Sequence, residues 1–271
     1  MRAVIALGLA VVGLAGEARA AEQVMPFAAH RAAYMITLAK GEGAQSPVGA
    51  SGMIAYEFRG SSCEGYASDF RQVTELQRAE GEATSSDTRA ITFEDGQAKT
   101  LRFKIESTVG ETEQPSVDGN AARAETGELS VDLKEPKRET LNFGKGILFP
   151  TQHLARVIEA AKAGQNEVEA QVYDGSDTGE KVFDTLTVVG KEATSPSPDS
   201  TTAEALKSVR RWPVTISYFD AAKKDSSPEY VLSFDLYENG VSGSLKLDYG
   251  EFVLSANLAK FELLPSSPCE K

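Results

Sequence analysis

Residues 228–269 read PEYVLSFDLYENGVSGSLKLDYGEFVLSANLAKFELLPSSPC, three alternating segments joined by two turn dipeptides and closed by a cysteine. Asn239-Gly240 is a strong hairpin signal, because both residues tolerate the positive φ of a type I′ turn. A two-residue loop there sets Glu238 opposite Val241. Counting outward, Phe234 meets Leu245, Leu232 meets Leu247 and Tyr230 meets Tyr249, all on one face. Gly250-Glu251 suits type II′ and pairs Leu247 with Leu254 and Leu245 with Ala256. Two independent turns thus specify one apolar face, which predicts a three-stranded meander with one wet side. Apolar parity then changes between Leu258 and Phe261, which predicts a bulge near Ala259 that bends the strand and helps a sheet curl.

Working outward, the pattern continues. His30 to Leu38 and Met53 to Arg59 alternate and read as a hairpin, and Tyr66 to Leu76 follows as another strand. Short alternating runs recur around Ile91, Phe103, Val131, Leu141, Val168 to Val172, Val182 to Val189 and Ile216. Glu80 to Asp87 reads as a polar loop, and Ser107 to Glu125 as a long mobile hairpin loop without apolar periodicity. Lys191 to Leu206, rich in Ser, Thr, Pro and Ala, reads as a surface loop or short linker. One helix stands out, Pro150 to Ala163. Proline suits its first turn, Leu154, Val157, Ile158 and Ala161 share a face, and Gly164 stands at the C-cap. A lone helix among strands packs on one face of the sheet or inside its curl.

The chain opens MRAVIALGLAVVGLAGEARA, a basic residue, an apolar run and an A-x-A site. This is the pattern of a signal peptide over residues 1–20, cut after Ala20; the run is too short to span a bilayer of about 30 Å. The expectation is an exported, soluble protein without stable membrane insertion, its residues 21–271 forming one domain. A formal net charge of -12 leaves no positive field for nucleic acid. Two cysteines, Cys63 and Cys269, favour one disulfide in an exported chain over two free thiols.

Chemistry-bearing sets are sparse. The two histidines, His30 and His153, have no clustered cysteines, no G-x-S-x-G elbow and no H-E-x-x-H helix around them. His153 reads as a polar helix residue. Asp177-Thr-Gly179 has the letters of an aspartic protease motif but lacks the second copy that would share its proton, so a turn is the simpler reading. Asp174, Ser176, Asp177 and Glu180 could offer oxygens to Ca²⁺, but their spacing is not that of an EF-hand. No catalytic residue, metal ligand or cofactor is therefore expected. The apolar stripe of Leu154, Val157 and Ile158, with Trp212, has two readings: ordinary core, or the lining of a cavity able to hold an acyl chain or an apolar peptide.

Several blocks resemble a known family. These are the export signal, Gly60-Ser-Ser-Cys63-Glu-Gly-Tyr66, Phe149-Pro-Thr-Gln-His153, Val172-Tyr-Asp-Gly-Ser-Asp-Thr-Gly-Glu180, Arg211-Trp-Pro213, and Tyr237-Glu-Asn-Gly240 through Cys269. Together they are similar to the EipB family, periplasmic cell-envelope integrity proteins of Gram-negative bacteria. The resemblance implies a mainly β fold, a long antiparallel sheet curled as a β-spiral or open half-barrel around one α-helix, with a disulfide between Cys63 and Cys269. It implies a non-enzymatic role in keeping the envelope intact under stress, and an architecture similar to periplasmic lipoprotein carriers. The partners it points to are other periplasmic envelope proteins, and lipid or lipoprotein as cargo.

Overall fold

The computed structural model describes residues 27–43, 46–223, 227–265 and 269; the signal-peptide reading of residues 1–20 lies outside them. The chain starts with β1 (His30–Gly41), β2 (Gly49–Ser61), β3 (Gly65–Gln77), β4 (Thr84–Glu94) and β5 (Thr100–Val109). A two-residue strand β6 (Thr112–Glu113) precedes β7 (Val117–Arg123), β8 (Glu128–Glu135) and β9 (Glu139–Lys145). Helix α1 (Pro150–Lys162) follows, then β10 (Glu167–Val172), β11 (Phe183–Val189), β12 (Arg211–Asp220), β13 (Tyr230–Tyr237), β14 (Ser242–Asp248) and β15 (Phe252–Leu263).

All these strands belong to one antiparallel sheet, in the order β10-β11-β12-β13-β14-β15-β1-β2-β3-β4-β5-β7-β8-β9, with β6 paired to β5 off this path. Neighbours are consecutive in sequence except at the β15–β1 seam and where β6 is skipped. The break in the meander falls between β9 and β10, the segment that contains the helix. The sheet curls: Val157, Ile158 and Ala161 of α1 share a core with Phe58 and Tyr66 of the N-terminal strands and with Trp212, Val214 and Phe234 of the C-terminal ones. The two edges approach through Leu148, just past β9, whose N–H donates to the Gln171 carbonyl at 2.7 Å and whose carbonyl accepts from Tyr173 N–H at 2.9 Å.

The C-terminal meander matches its sequence reading except at the first turn. Leu232 pairs with Leu247, Leu247 with Leu254 and Leu245 with Ala256. Gly250 takes φ +85°, as a type II′ turn requires. The Asn239-Gly240 loop is instead three residues long. Gly240 N–H donates to the Tyr237 carbonyl, Tyr237 N–H to that of Val241, and Gly240 alone takes a positive φ. That loop would shift the register by one, so that Leu236 faces Ser242 and Asp235 faces Gly243. An irregularity around Ser244, at φ +51°, then restores the expected register by Ser233–Lys246. Phe234 falls in this irregularity rather than opposite Leu245, while the restored register runs to Val231–Asp248, one position short of Tyr230 and Tyr249, and Tyr230 pairs with Tyr218 on its other side.

The predicted bulge sits where the parity change put it. Ala33 pairs with Lys260 and Tyr34 with Leu258, leaving Ala259 as the extra residue. A second irregularity follows at Ala39, since Leu38 pairs with Leu254 and Lys40 with Val253. The two extra residues lie on opposite strands, so the register sum returns to its starting value and both ends of the seam turn apolar residues inward.

Three loop readings are corrected. Ser107 to Glu125 holds β6 and β7, and Val117, Gly119 and Ala121 point inward. Their small size follows from crowding: a Cβ on Gly119 would come within 2.5 Å of the Phe103 ring. Glu80 to Asp87 is loop only up to Thr84, where β4 begins. Within 191–206, two 3-10 turns (Pro198–Thr201 and Glu204–Leu206) bury Ala203 and Leu206 against Tyr237 and Val241. Burial of Ser197 and Asp199 between them hides this from a hydrophobic pattern. Ser197 Oγ hydrogen-bonds the Tyr237 hydroxyl, and Arg211, paired with Asp235 at 3.0 Å, donates to the Ser195 carbonyl.

Cys63, in the β2–β3 turn, is disulfide-bonded to Cys269, with Cα atoms 5.7 Å apart and a sequence separation of 206.

Candidate apolar binding site

Helix α1 is seated by groups far away in sequence. Its N-cap, Phe149, has no side-chain oxygen, and Glu94 from the end of β4 supplies one, its Oε2 accepting from Thr151 N–H at 2.9 Å. Burial pushes the Glu94 carboxyl up to about 7, opposed by the backbone N–H groups of Thr151 and Gln152. Arg123 of β7 closes the same corner, donating to the Ile147 carbonyl at 2.7 Å and lying 5.0 Å over the Phe149 ring. At the other end Gly164, at φ +73°, completes the cap, and Gln165 N–H donates to the Ala160 carbonyl at 2.9 Å.

So fixed, the helix divides its predicted stripe. Val157 and Ile158 pack with Trp212 in the core, all three at most 2% exposed. Leu154, one turn earlier, faces an unfilled space of about 730 Å³. Tyr34, Ile54, Tyr56 and Phe70 wall it from β1–β3, and Tyr230, Leu232, Leu245 and Leu247 from β13–β14. Phe183, Ser176 and Asp177 complete one side. Of the four residues expected to line a cavity, the structure brings Leu154 to it and puts Val157, Ile158 and Trp212 in packed core. One side of the wall, Tyr230, Leu232, Leu245, Leu247 and Tyr249, is the apolar face of the meander. The register that set Tyr230, Leu232, Leu245, Leu247 and Tyr249 on one side was the signal that pointed to it.

The polar groups on this wall are few. Tyr34 donates to the Ser242 carbonyl at 2.6 Å, and Gln72 bonds Tyr249 and donates to Thr74 Oγ1 at 3.2 Å. Tyr230 stacks on Tyr218, centroids 4.4 Å apart, with Phe183 edge-on to both. Burial pushes the phenols of Tyr34, Tyr56, Tyr218 and Tyr230 upward. His30 packs among Tyr56, Phe58 and Phe261, its Nδ1 2.7 Å from the Ala28 carbonyl, and burial lowers its pKa, which favours neutral imidazole. Asp177 and Glu229 line the rim. Lys181 bonds both, at 2.7 and 3.0 Å.

His153, read from the sequence as a polar helix residue, is buried. It is 4% exposed between α1 and β11, with Nε2 3.4 Å from the hydroxyls of both Thr185 and Thr187. Burial first, and Arg156 second, lower its pKa to about 4. Asp177-Thr-Gly179 forms a turn, Gly179 N–H donating to the Ser176 carbonyl at 2.9 Å. No helix of the described residues is long and apolar enough to cross a membrane. The site can therefore do one thing well, which is to remove an apolar surface from water.

Comparison with known proteins agrees with this architecture. Residues 21–265 match the model of a family described as EipB-like. The chain is 36% identical over 252 residues to the cell envelope integrity protein EipB of Brucella abortus (strain 2308), covering 93% of this chain and 89% of that protein. It also superposes, with a TM-score of 0.83 and 35% identity, on the crystal structure of a beta-barrel-like protein of domain of unknown function DUF1849 from Brucella abortus, covering 89% of this chain and 100% of that one.

Proposed function

The chain belongs to the EipB-like family, and from that premise we propose that it serves cell-envelope integrity in the periplasm by binding rather than by catalysis, holding an apolar ligand in the cavity beside α1. The observation that carries this reading is the cavity itself, about 730 Å³ walled by tyrosine, phenylalanine and aliphatic side chains. That size lies within the roughly 300–1,000 Å³ of small-molecule sites. The Brucella relative is named for cell envelope integrity, a setting that supports this reading. The signal-peptide pattern of residues 1–20 supports work outside the cytoplasm, with the remainder acting as one exported domain. Other envelope proteins, and lipid or lipoprotein as cargo, are the partners consistent with an apolar cavity and an acidic surface.

Displacement of a fluorescent apolar probe by lipids, together with native mass spectrometry of protein taken from the periplasm, tests the proposal. Saturable probe binding near one equivalent is expected. Absence of any bound or displaceable apolar molecule would sink it, as would hydrolysis of peptidoglycan or an ester that one side-chain change abolishes.

A further inference from the structure

We infer that the part of the ligand held inside is an uncharged acyl group linked through an ester or amide carbonyl, and that the free fatty-acid carboxylate is rejected. This rests on the reading of the cavity as an apolar binding site and adds the chemistry of what enters it.

Two features of the wall lead there. The first is the absence of a cation: among the described residues, the lining contains no lysine or arginine. Two ammonium groups stand at the rim and both are held by carboxylates, Lys181 by Asp177 and Glu229 and Lys223 by Glu229. Asp174 adds a further carboxylate beside the Tyr218–Tyr230 stack, close enough to raise both phenols. A carboxylate or phosphate drawn inside would lose its water and meet only neutral or negative groups, at a large desolvation penalty.

The second feature is a pair of hydroxyls awaiting an acceptor. Among the described residues, no hydrogen bond to protein is found for the hydroxyls of Tyr56 and Tyr230, whereas Tyr34 and Tyr249 on the same wall are bonded to Ser242 and Gln72. Since no buried side-chain oxygen among the described residues lacks a partner, these two hydroxyls are reached by water from the cavity, and a ligand that displaces that water must offer an acceptor in its place. An ester or amide carbonyl supplies acceptors without bringing charge, so it satisfies these donors at no electrostatic cost. A plain hydrocarbon leaves them unpaired. An acid brings the charge.

The test is competition at pH 8 between N-phenyl-1-naphthylamine, an apolar fluorescent probe, and two ligands of equal chain, methyl oleate and oleate. Methyl oleate is expected to displace the probe at least about tenfold more tightly than oleate. Tyr56→Phe and Tyr230→Phe should each weaken methyl oleate about fivefold more than they weaken the probe, with an unchanged circular dichroism spectrum and melting curve reporting that the variants fold. Probe binding with oleate equal or preferred, or phenylalanine variants that bind the ester as well as wild type, would overturn this inference and leave the binding reading intact. A wild-type protein that takes up neither probe nor lipid would overturn both.

Discussion

Strands β5, β7 and β8 face the loop between β10 and β11 across a filled interior, whereas β1–β3 and β13–β14 face one another across a space of about 730 Å³. In the filled part, Tyr173 packs edge-on to Phe103 with centroids 5.8 Å apart, and its hydroxyl donates to the Gly179 carbonyl at 2.8 Å. Gly119 and Gly175 come so close to the Phe103 ring that a Cβ on either would lie 2.5 Å from it. The hollow part is walled by large side chains, yet among the described residues no segment of chain enters it. One sheet thus curls around both a packed core and an open hollow, and what separates them is whether a loop is folded back into the curl. A void forfeits the contacts its walls would make, so its surroundings must be held by means other than packing. The Cys63–Cys269 bond, the β15–β1 seam and the Arg211–Asp235 pair are placed to do so.

The largest test removes the bond. Replacing Cys63 and Cys269 together by serine should cost about 5 kcal/mol in denaturant unfolding, from the loop it closes. Hydrogen exchange should quicken more in β1–β3 than in β7 and β8. An unchanged midpoint, or uniform quickening, would erase the difference between the two regions. A direct comparison comes next. Leu101→Ala, at a 1% exposed site of the filled part, should cost about 3–4 kcal/mol, against about 1 kcal/mol for Leu247→Ala on the cavity wall. Equal losses would mean that the cavity behaves as core.

The smallest of the three probes the helix that borders both regions. Glu94 is raised from 4.5 to about 7, so the folded state holds its proton more tightly, and that stabilisation is full below pH 4.5 and lost as pH rises through 7. His153 is lowered from 6.5 to about 4, so its contribution is full above pH 6.5 and lost as pH falls through 4. Each amounts to about 3 kcal/mol, with opposite sign over nearly one window. Glu94→Gln should therefore unmask stability that rises from pH 4 to 6.5, and His153→Asn stability that falls from pH 4.5 to 7. Both variants should show steeper pH profiles than wild type; parallel profiles would refute the pairing.

The comparison also marks what could be read from residue order. The meander, the β1–β2 hairpin, the helix and the Ala259 bulge were legible because large alternating side chains point to the concave face. Strand β7 was not, because Phe103 fills the space that its inward Gly119 and Ala121 leave, and small residues carry little periodic signal. The 3-10 turns escaped notice because Ser197 and Asp199 are buried by hydrogen bonding rather than by hydrophobicity. For the cavity, the meander register identified the right face, while the helix stripe pointed one turn too deep, to Val157, Ile158 and Trp212. Periodicity tells which side of an element faces inward. It does not tell how far the opposite wall stands.

The seam between β15 and β1 has a further consequence, for how the chain reaches this state. His30 pairs with Leu263, so strands from opposite ends of the sequence meet in the middle of the sheet. Every hairpin on either side can form locally, but the central pairing waits for the last strand to be synthesised, and closing so long a loop is slow. Until then β1 is an open edge able to recruit another chain, which makes the interval before β15 arrives the time of greatest exposure to aggregation.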